Sequence, residues 1–190
     1  MQAFCKSALI VALTLGAAGA MAGEISDSAV IGAGMVNSSA GLASSALQNI
    51  GVAEDKGRIT SSMIGVAGAV NTSVGLASSA TQNIGKASQN GVISNSAVSV
   101  TGATNTSAGL ASSATQSIGF ATQNGRVDNS FVQAMGVTNT AAGLASSATQ
   151  KIGGAENDGV LRNSFVLANG ASNTAGGLAS SATQRIGVAR

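Results

Sequence analysis

After residue 24 the chain repeats itself every 34 residues, five times over, with no insertion or deletion. Asparagine recurs at Asn37, Asn71, Asn105, Asn139 and Asn173, and glutamine at Gln48, Gln82, Gln116, Gln150 and Gln184. Gly41, Gly75, Gly109, Gly143 and Gly177 keep the same step, as do Leu42, Leu76, Leu110, Leu144 and Leu178. A fixed period of this size predicts a stacked repeat, in which each unit completes itself on its neighbours. The units run 25–58, 59–92, 93–126, 127–160 and 161–190.

A 34-residue step also suits paired-helix repeats, but those need large aromatics at set places, and these units lack them. Glycine interrupts every unit, and β-branched residues and asparagine fill its first half, which disfavours helix. Strand periodicity fits better. In the second unit one face reads Ile64, Val66, Gly68, Val70, Thr72, Val74, Leu76, Ser78, Ala80, Gln82, Ile84, and the other carries small residues. Between Leu76 and Ile84 two readings stay open, since Leu76, Ala80 and Ile84 also fit a helical step of four.

Turns are expected between units at Asn90-Gly91, Asn124-Gly125 and Asp158-Gly159, with Lys56-Gly57 in the matching place. A softer turn is expected at Asn-Thr-Ser-x-Gly, as in Asn105 to Gly109. Each unit then reads strand, turn, strand, turn. Arms of roughly twelve residues are long for a strand, so a bend or bulge is expected inside them. The resulting fold class is all-β: a β-solenoid, or cross-β stack, of five strand-turn-strand rungs.

Stacking in register sets residue n beside n + 34. Asparagine and glutamine suit such columns, because each side-chain amide both donates to and accepts from its copies. The expected core columns are the leucines named above and Ile50, Ile84, Ile118, Ile152 and Ile186. Charges respect the register. Glu24 falls beside Arg58 and Asp128 beside Arg162, while Lys151 and Arg185 are the one like-charged pair in adjacent rungs. The segments 59–82, 93–116, 129–150 and 163–184 carry no charge at all.

The first 22 residues read as a secretory signal: Lys6, an apolar run from Ala8 to Leu15, and Ala20-Met21-Ala22 before Gly23. The domain reading is therefore a signal peptide over 1–22 and a repeat domain over 23–190. Removing Lys6 leaves eight basic against seven acidic residues, a net charge of +1 (8 − 7), which gives no basis for binding nucleic acid or an acidic membrane. Beyond Cys5 there is no Cys, and the chain has no His, Pro, Trp or Tyr. No disulfide framework, metal cluster or serine with a nearby base is visible, so neither enzyme activity nor a cofactor is expected. The rungs are expected to lack polar caps, which leaves strand edges open to further copies.

This combination resembles the secreted functional amyloids of Gram-negative biofilms. Curli subunits carry five shorter strand-turn-strand units with Ser, Asn and Gln ladders. The Fap fibre proteins are closer in unit length and in a Gly-Val-Asn-x-Ala-Ala-Gly type signature. Here the stretch is Gly136-Val137-Thr138-Asn139-Thr140-Ala141-Ala142-Gly143, followed by Gln150. It has one extra residue before the asparagine, and no Cys-x-Cys occurs in the chain. The resemblance implies a secreted structural protein that stacks head-to-tail with copies of itself into extracellular fibres for biofilm matrix or adhesion. It also implies dedicated export and nucleation proteins as partners. Two other readings are a monomeric solenoid that binds a surface or ice through the Thr72, Thr106, Thr140 and Thr174 column, and a helical or disordered Ala- and Gly-rich repeat.

Overall fold

The computed structural model describes residues 23–54 and 56–189, so the signal-peptide reading lies outside the described residues. The described chain is an all-β solenoid of five rungs. Each rung has four strands, not two. In the third rung they are Val92–Ser94, Ala97–Thr101, Thr104–Ala108 and Ala111–Ala121. Equivalent strands of successive rungs pair in parallel, forming four sheets of five strands each. The register sets Asn105 between Asn71 and Asn139, and Gln116 between Gln82 and Gln150. The ambiguous Leu-Ala-Ser-Ser-Ala-Thr-Gln half lies in the longest strand of the rung, Ala77–Ala87 in the second unit.

Corners explain why four strands replace two arms. Gly68 and Gly102 both sit at φ +66°, in the left-handed region where a Cβ is disfavoured. Each turns the chain between the second and third strands. A second bend lies inside the long strand, where Gly85 at φ +61° drops out of the paired register. The expected bulge is therefore present, and its glycine is built into the repeat.

Each corner resets the strand parity. Ile64 and Val66 face inward, but beyond Gly68 the inward residues are Ala69, Asn71 and Ser73. Beyond the next corner Ser78, Ala80, Gln82 and Ile84 face inward. The unbroken two-residue face from Ile64 to Ile84 is thus corrected. So is the softer turn: Asn105 to Ala108 is strand, and the reversal falls at Gly109-Leu110. The leucines sit at that reversal and point out of the rung. Leu42, Leu76, Leu110, Leu144 and Leu178 are all exposed, from 53 % at Leu110 to 91 % at Leu178. They are corner residues and not core.

At the inter-unit turn the left-handed residues are Lys56, Gln89 and Asn90, Gln123 and Asn124, and Asn157 and Asp158. The glycines that follow serve close approach instead. A Cβ on Gly91 would lie 2.3 Å from the Ala87 carbonyl oxygen, and Gly57, Gly125 and Gly159 are as tightly set.

The apolar core is one column set running the length of the stack. It includes Ile59, Ile64, Ile84, Ile93, Val98, Ile118, Val127, Val132 and Ile152. Volume is balanced within each of the first four rungs. The first rung pairs Gly32 with Met35, whose side chain occupies the space a Cβ on Gly32 would need. The corresponding pairs are Val66 with Ala69, Val100 with Ala103, Ala134 with Val137, and Ala168 with Ala171. Protein interiors have no room to enlarge both members of such a pair.

The glycine at the leucine corner is set by stacking. A Cβ on Gly109 would lie 1.7 Å from the carbonyl oxygen of Gly75 one rung away, whereas one on Gly65 would meet nothing within 4 Å. Gly109→Ala should therefore force rungs apart and lower stability by about 3 kcal/mol. Gly65→Ala, on an outward strand position, should be neutral or stabilise by about 0.5 kcal/mol. Thermal denaturation of the two variants checks the contrast.

Candidate assembly interface

The inside of each rung is half apolar and half polar. The polar half is built on the asparagine and glutamine columns, and Asn71, Asn105, Asn139, Gln82, Gln116 and Gln150 are completely buried. Such burial requires every amide to be partnered. Asn105 Nδ2 donates to Asn139 Oδ1 at 2.8 Å, and also to the Ala80 and Thr115 carbonyls at 3.0 Å each. Its equivalents repeat this pattern, with Asn37 donating to Asn71, Asn71 to Asn105, and Asn139 to Asn173. The glutamines form a second ladder: Gln82 donates to Gln48, Gln116 to Gln82, Gln150 to Gln116, and Gln184 to Gln150. The isoleucine column packs beside them, with Ile84, Ile118 and Ile152 fully buried and Ile50 nearly so.

A third ladder went unread in the sequence. Ser28, Ser62, Ser96, Ser130 and Ser164 recur at the same interval, which was the available signal. They follow a column of left-handed residues, Asp27, Ser61, Asn95, Asn129 and Asn163. Ser62 Oγ accepts from the Ser28 amide at 3.3 Å and donates to the Thr60 carbonyl at 2.7 Å. This ladder satisfies the backbone where the short strand turns into the second.

Polar pairs also link the third strand to the long strand. Ser44 Oγ lies 2.7 Å from Ser73 Oγ, and Ser78 Oγ lies 2.8 Å from Ser107 Oγ. The next pair would be Ser112 with Ala141, and Ser112 Oγ is buried with no partner.

The charged residues lie outside. Lys151 and Arg185, neighbours in one column, meet at Glu156, whose carboxylate accepts from Lys151 Nζ at 2.7 Å and also from Arg185. The like-charged pair is thereby bridged. Partial burial pushes the Glu156 carboxyl upward, but the Lys151 and Arg185 contacts outweigh it and hold it below the usual range. Lys151 also lies over the Phe120 ring, 5.2 Å from its centroid, an electrostatically favourable placement. Burial lowers the neighbouring Lys86 ammonium, with help from Lys151 and against Glu54 and Glu156. Glu24 and Arg58 are backbone partners, as are Asp128 and Arg162, yet Asp128 forms its ion pair with Arg126 in its own rung.

Among the described residues the first rung pairs only with the second, and the fifth only with the fourth. At the fifth rung the isoleucine column is cut open, with Ile186 42 % exposed where Ile152 is fully buried, whereas Ile50 and Gln48 of the first rung are buried. Ile25, Val30 and Met35 at one end, and Leu161, Val166 and Ala168 at the other, are only partly covered. The threonine column lies on the outer face of the third strands, with Thr72, Thr106, Thr140 and Thr174 in register. Among the described residues no group of three His, Cys, Asp or Glu side chains could hold a metal ion.

No known protein family, curated protein or solved structure matches the chain. The β-solenoid of repeating rungs is compatible with a repeat structural protein.

Two outcomes follow. Ala141→Ser should give Ser112 its missing partner and stabilise the protein by about 1 kcal/mol in a denaturant titration. Glu156→Gln should lower the melting temperature at neutral pH by on the order of 3 °C. The carboxyl is held below its ordinary value when folded, so its stabilisation is present above that ordinary value. It is lost as pH falls through the lowered one, and melting curves of wild type and variant should converge in acid.

Proposed function

We propose that this chain is a secreted structural protein that assembles with copies of itself, end to end, into extracellular fibres serving a biofilm matrix or surface adhesion. The observation that carries this reading is the pair of end rungs. Each presents strand edges that no described strand pairs and apolar residues that are only partly covered, Ile25, Val30 and Met35 at the first rung and Leu161, Val166 and Ile186 at the fifth. Strand edges of this kind are templates for further strands. A second copy supplies what the open face needs: Ile50 falls on Ile186, Val30 on Val166 and Ile25 on Leu161. The isoleucine and valine pairings repeat ones found inside the molecule, Ile50 with Ile84 and Val132 with Val166. No junction column sets like charges side by side.

The partners in this reading are other copies, with export and nucleation proteins acting before assembly. The chain needs no cofactor and catalyses nothing. The residues that matter are the internal ladders and columns, which make each rung a template for the next.

Purified protein, as full chain and as residues 23–190, should convert from denaturant into thioflavin-positive fibres with reflections near ~4.7 and ~10 Å. Fibres should seed fresh protein. A species that stays monomeric across concentration, while keeping its β-sheet circular dichroism, would sink the fibre reading and favour the surface-binding solenoid.

A further inference from the structure

The two amide ladders run in opposite directions, and this makes the two ends of the molecule different. In the asparagine ladder each Nδ2 donates forward, toward the fifth rung. In the glutamine ladder each Nε2 donates backward, toward the first. The first-rung face therefore offers an acceptor, Asn37 Oδ1, and a donor, Gln48 Nε2. The fifth-rung face offers the reverse: a donor, Asn173 Nδ2, and an acceptor, Gln184 Oε1. In register, Asn37 of one copy meets Asn173 of another and Gln48 meets Gln184. Both junction pairs then match the internal ones in kind and direction.

Packing at the junction agrees. Across the two columns that hold Gly32 and Met35, the fifth rung carries Ala168 and Ala171, a pair smaller than those of the second, third and fourth rungs. Met35 is the longest side chain in its column, is only partly covered, and belongs to the face that would meet those alanines. A flipped copy would lose these column-by-column matches. Two first-rung faces would no longer set each column on its own kind, and reversal also breaks the parallel strand pairing.

From these directions we infer that the first-rung face of one copy recognises only the fifth-rung face of another, so that fibre growth is polar and each end has its own amide code. The inference rests on the assembly reading above and specifies its interface.

Single substitutions should block one end at a time. Glu in place of Gln48 still accepts from Gln82 Nε2, so the Gln48→Glu fold is kept. Its outward donor becomes a charged acceptor facing Gln184 Oε1 of the next copy. Such a molecule docks its intact fifth rung on a growing end and then caps it. It cannot dock at the opposite end. Gln184→Lys retains a donor toward Gln150 Oε1 but faces Gln48 Nε2 with a second donor, and so should cap the other end.

The experiment images wild-type seeds, marked along their length, growing in wild-type protein with substoichiometric Gln48→Glu protein. The full chain and residues 23–190 are both used, and circular dichroism first checks that the variants fold. Growth at one end should fall about tenfold or more, as expected for a buried amide pair turned repulsive, while the other end continues. Gln184→Lys should stop the opposite end. The double variant Gln48→Glu/Gln184→Lys, whose faces are complementary again, should grow on its own seeds. Fibres slowed equally at both ends by Gln48→Glu, or at neither, would overturn the polarity while leaving the assembly reading intact. Failure of the wild-type protein to form fibres would overturn both.

Discussion

Parallel pairing at a constant offset of 34 residues is the constraint on which the rest of this molecule depends. It places each side chain against its own copy above and below, at about 4.8 Å. That spacing decides which residue types an interior can hold. Branched aliphatics pack on themselves, which gives the isoleucine and valine columns. A primary amide both gives and receives a hydrogen bond along a column, so asparagine and glutamine can be buried with their partners supplied. A charge cannot stack on itself, and the charged residues lie outside, or meet an opposite charge from another column.

The same constraint works against glycine substitutions. Where the leucine corner folds tightly, the backbones of successive rungs nearly touch, and Gly109 meets the Gly75 carbonyl. A single Cβ there disturbs two rungs, and through them the register of all four sheets. Variation is tolerated where it is compensated inside a rung, as in Gly32 with Met35, or where it faces water. The outward positions of the second strand run through Ala29, Met63, Ala97, Phe131 and Phe165. The last two stack ring on ring with centroids 5.5 Å apart.

The period, the β class and the stacking register were legible in the sequence, because they depend only on recurrence and on side-chain hydrogen-bonding capacity. The four-sided rung was not. A two-residue alternation can be followed only along a straight strand, and each left-handed corner shifts its phase. The count from Ile64 therefore carried Val74 and Leu76 to the wrong side. Leucine is usually a core residue, and nothing local in Gly-Leu-Ala-Ser marks it as the outer side of a reversal. The rescue of Lys151 and Arg185 was hidden for a similar reason. Glu156 is five residues beyond Lys151, roughly 16 Å along a straight strand. It comes within 2.7 Å because the strand bends at Gly153, whose φ is +55°. The serine ladder, by contrast, was fully visible as a recurrence and needed only the knowledge that a corner lay there.

The five units are not copies, and their differences bear on the proposed assembly. In an endless stack of identical units any rung could meet any other, and the register between molecules would be free to slip by whole rungs. Here the inner amides are invariant while the neighbouring volumes change from rung to rung. Docking of the fifth rung on the first satisfies both sets at once. A slipped contact, with the second rung meeting the fifth, would first require the first rung to leave the stack and open its own buried columns. In the proposed fibre the ladders would set direction, and the unequal columns beside them would set which rungs meet. Direction and register are separate properties, carried by separate residues within one 34-residue unit.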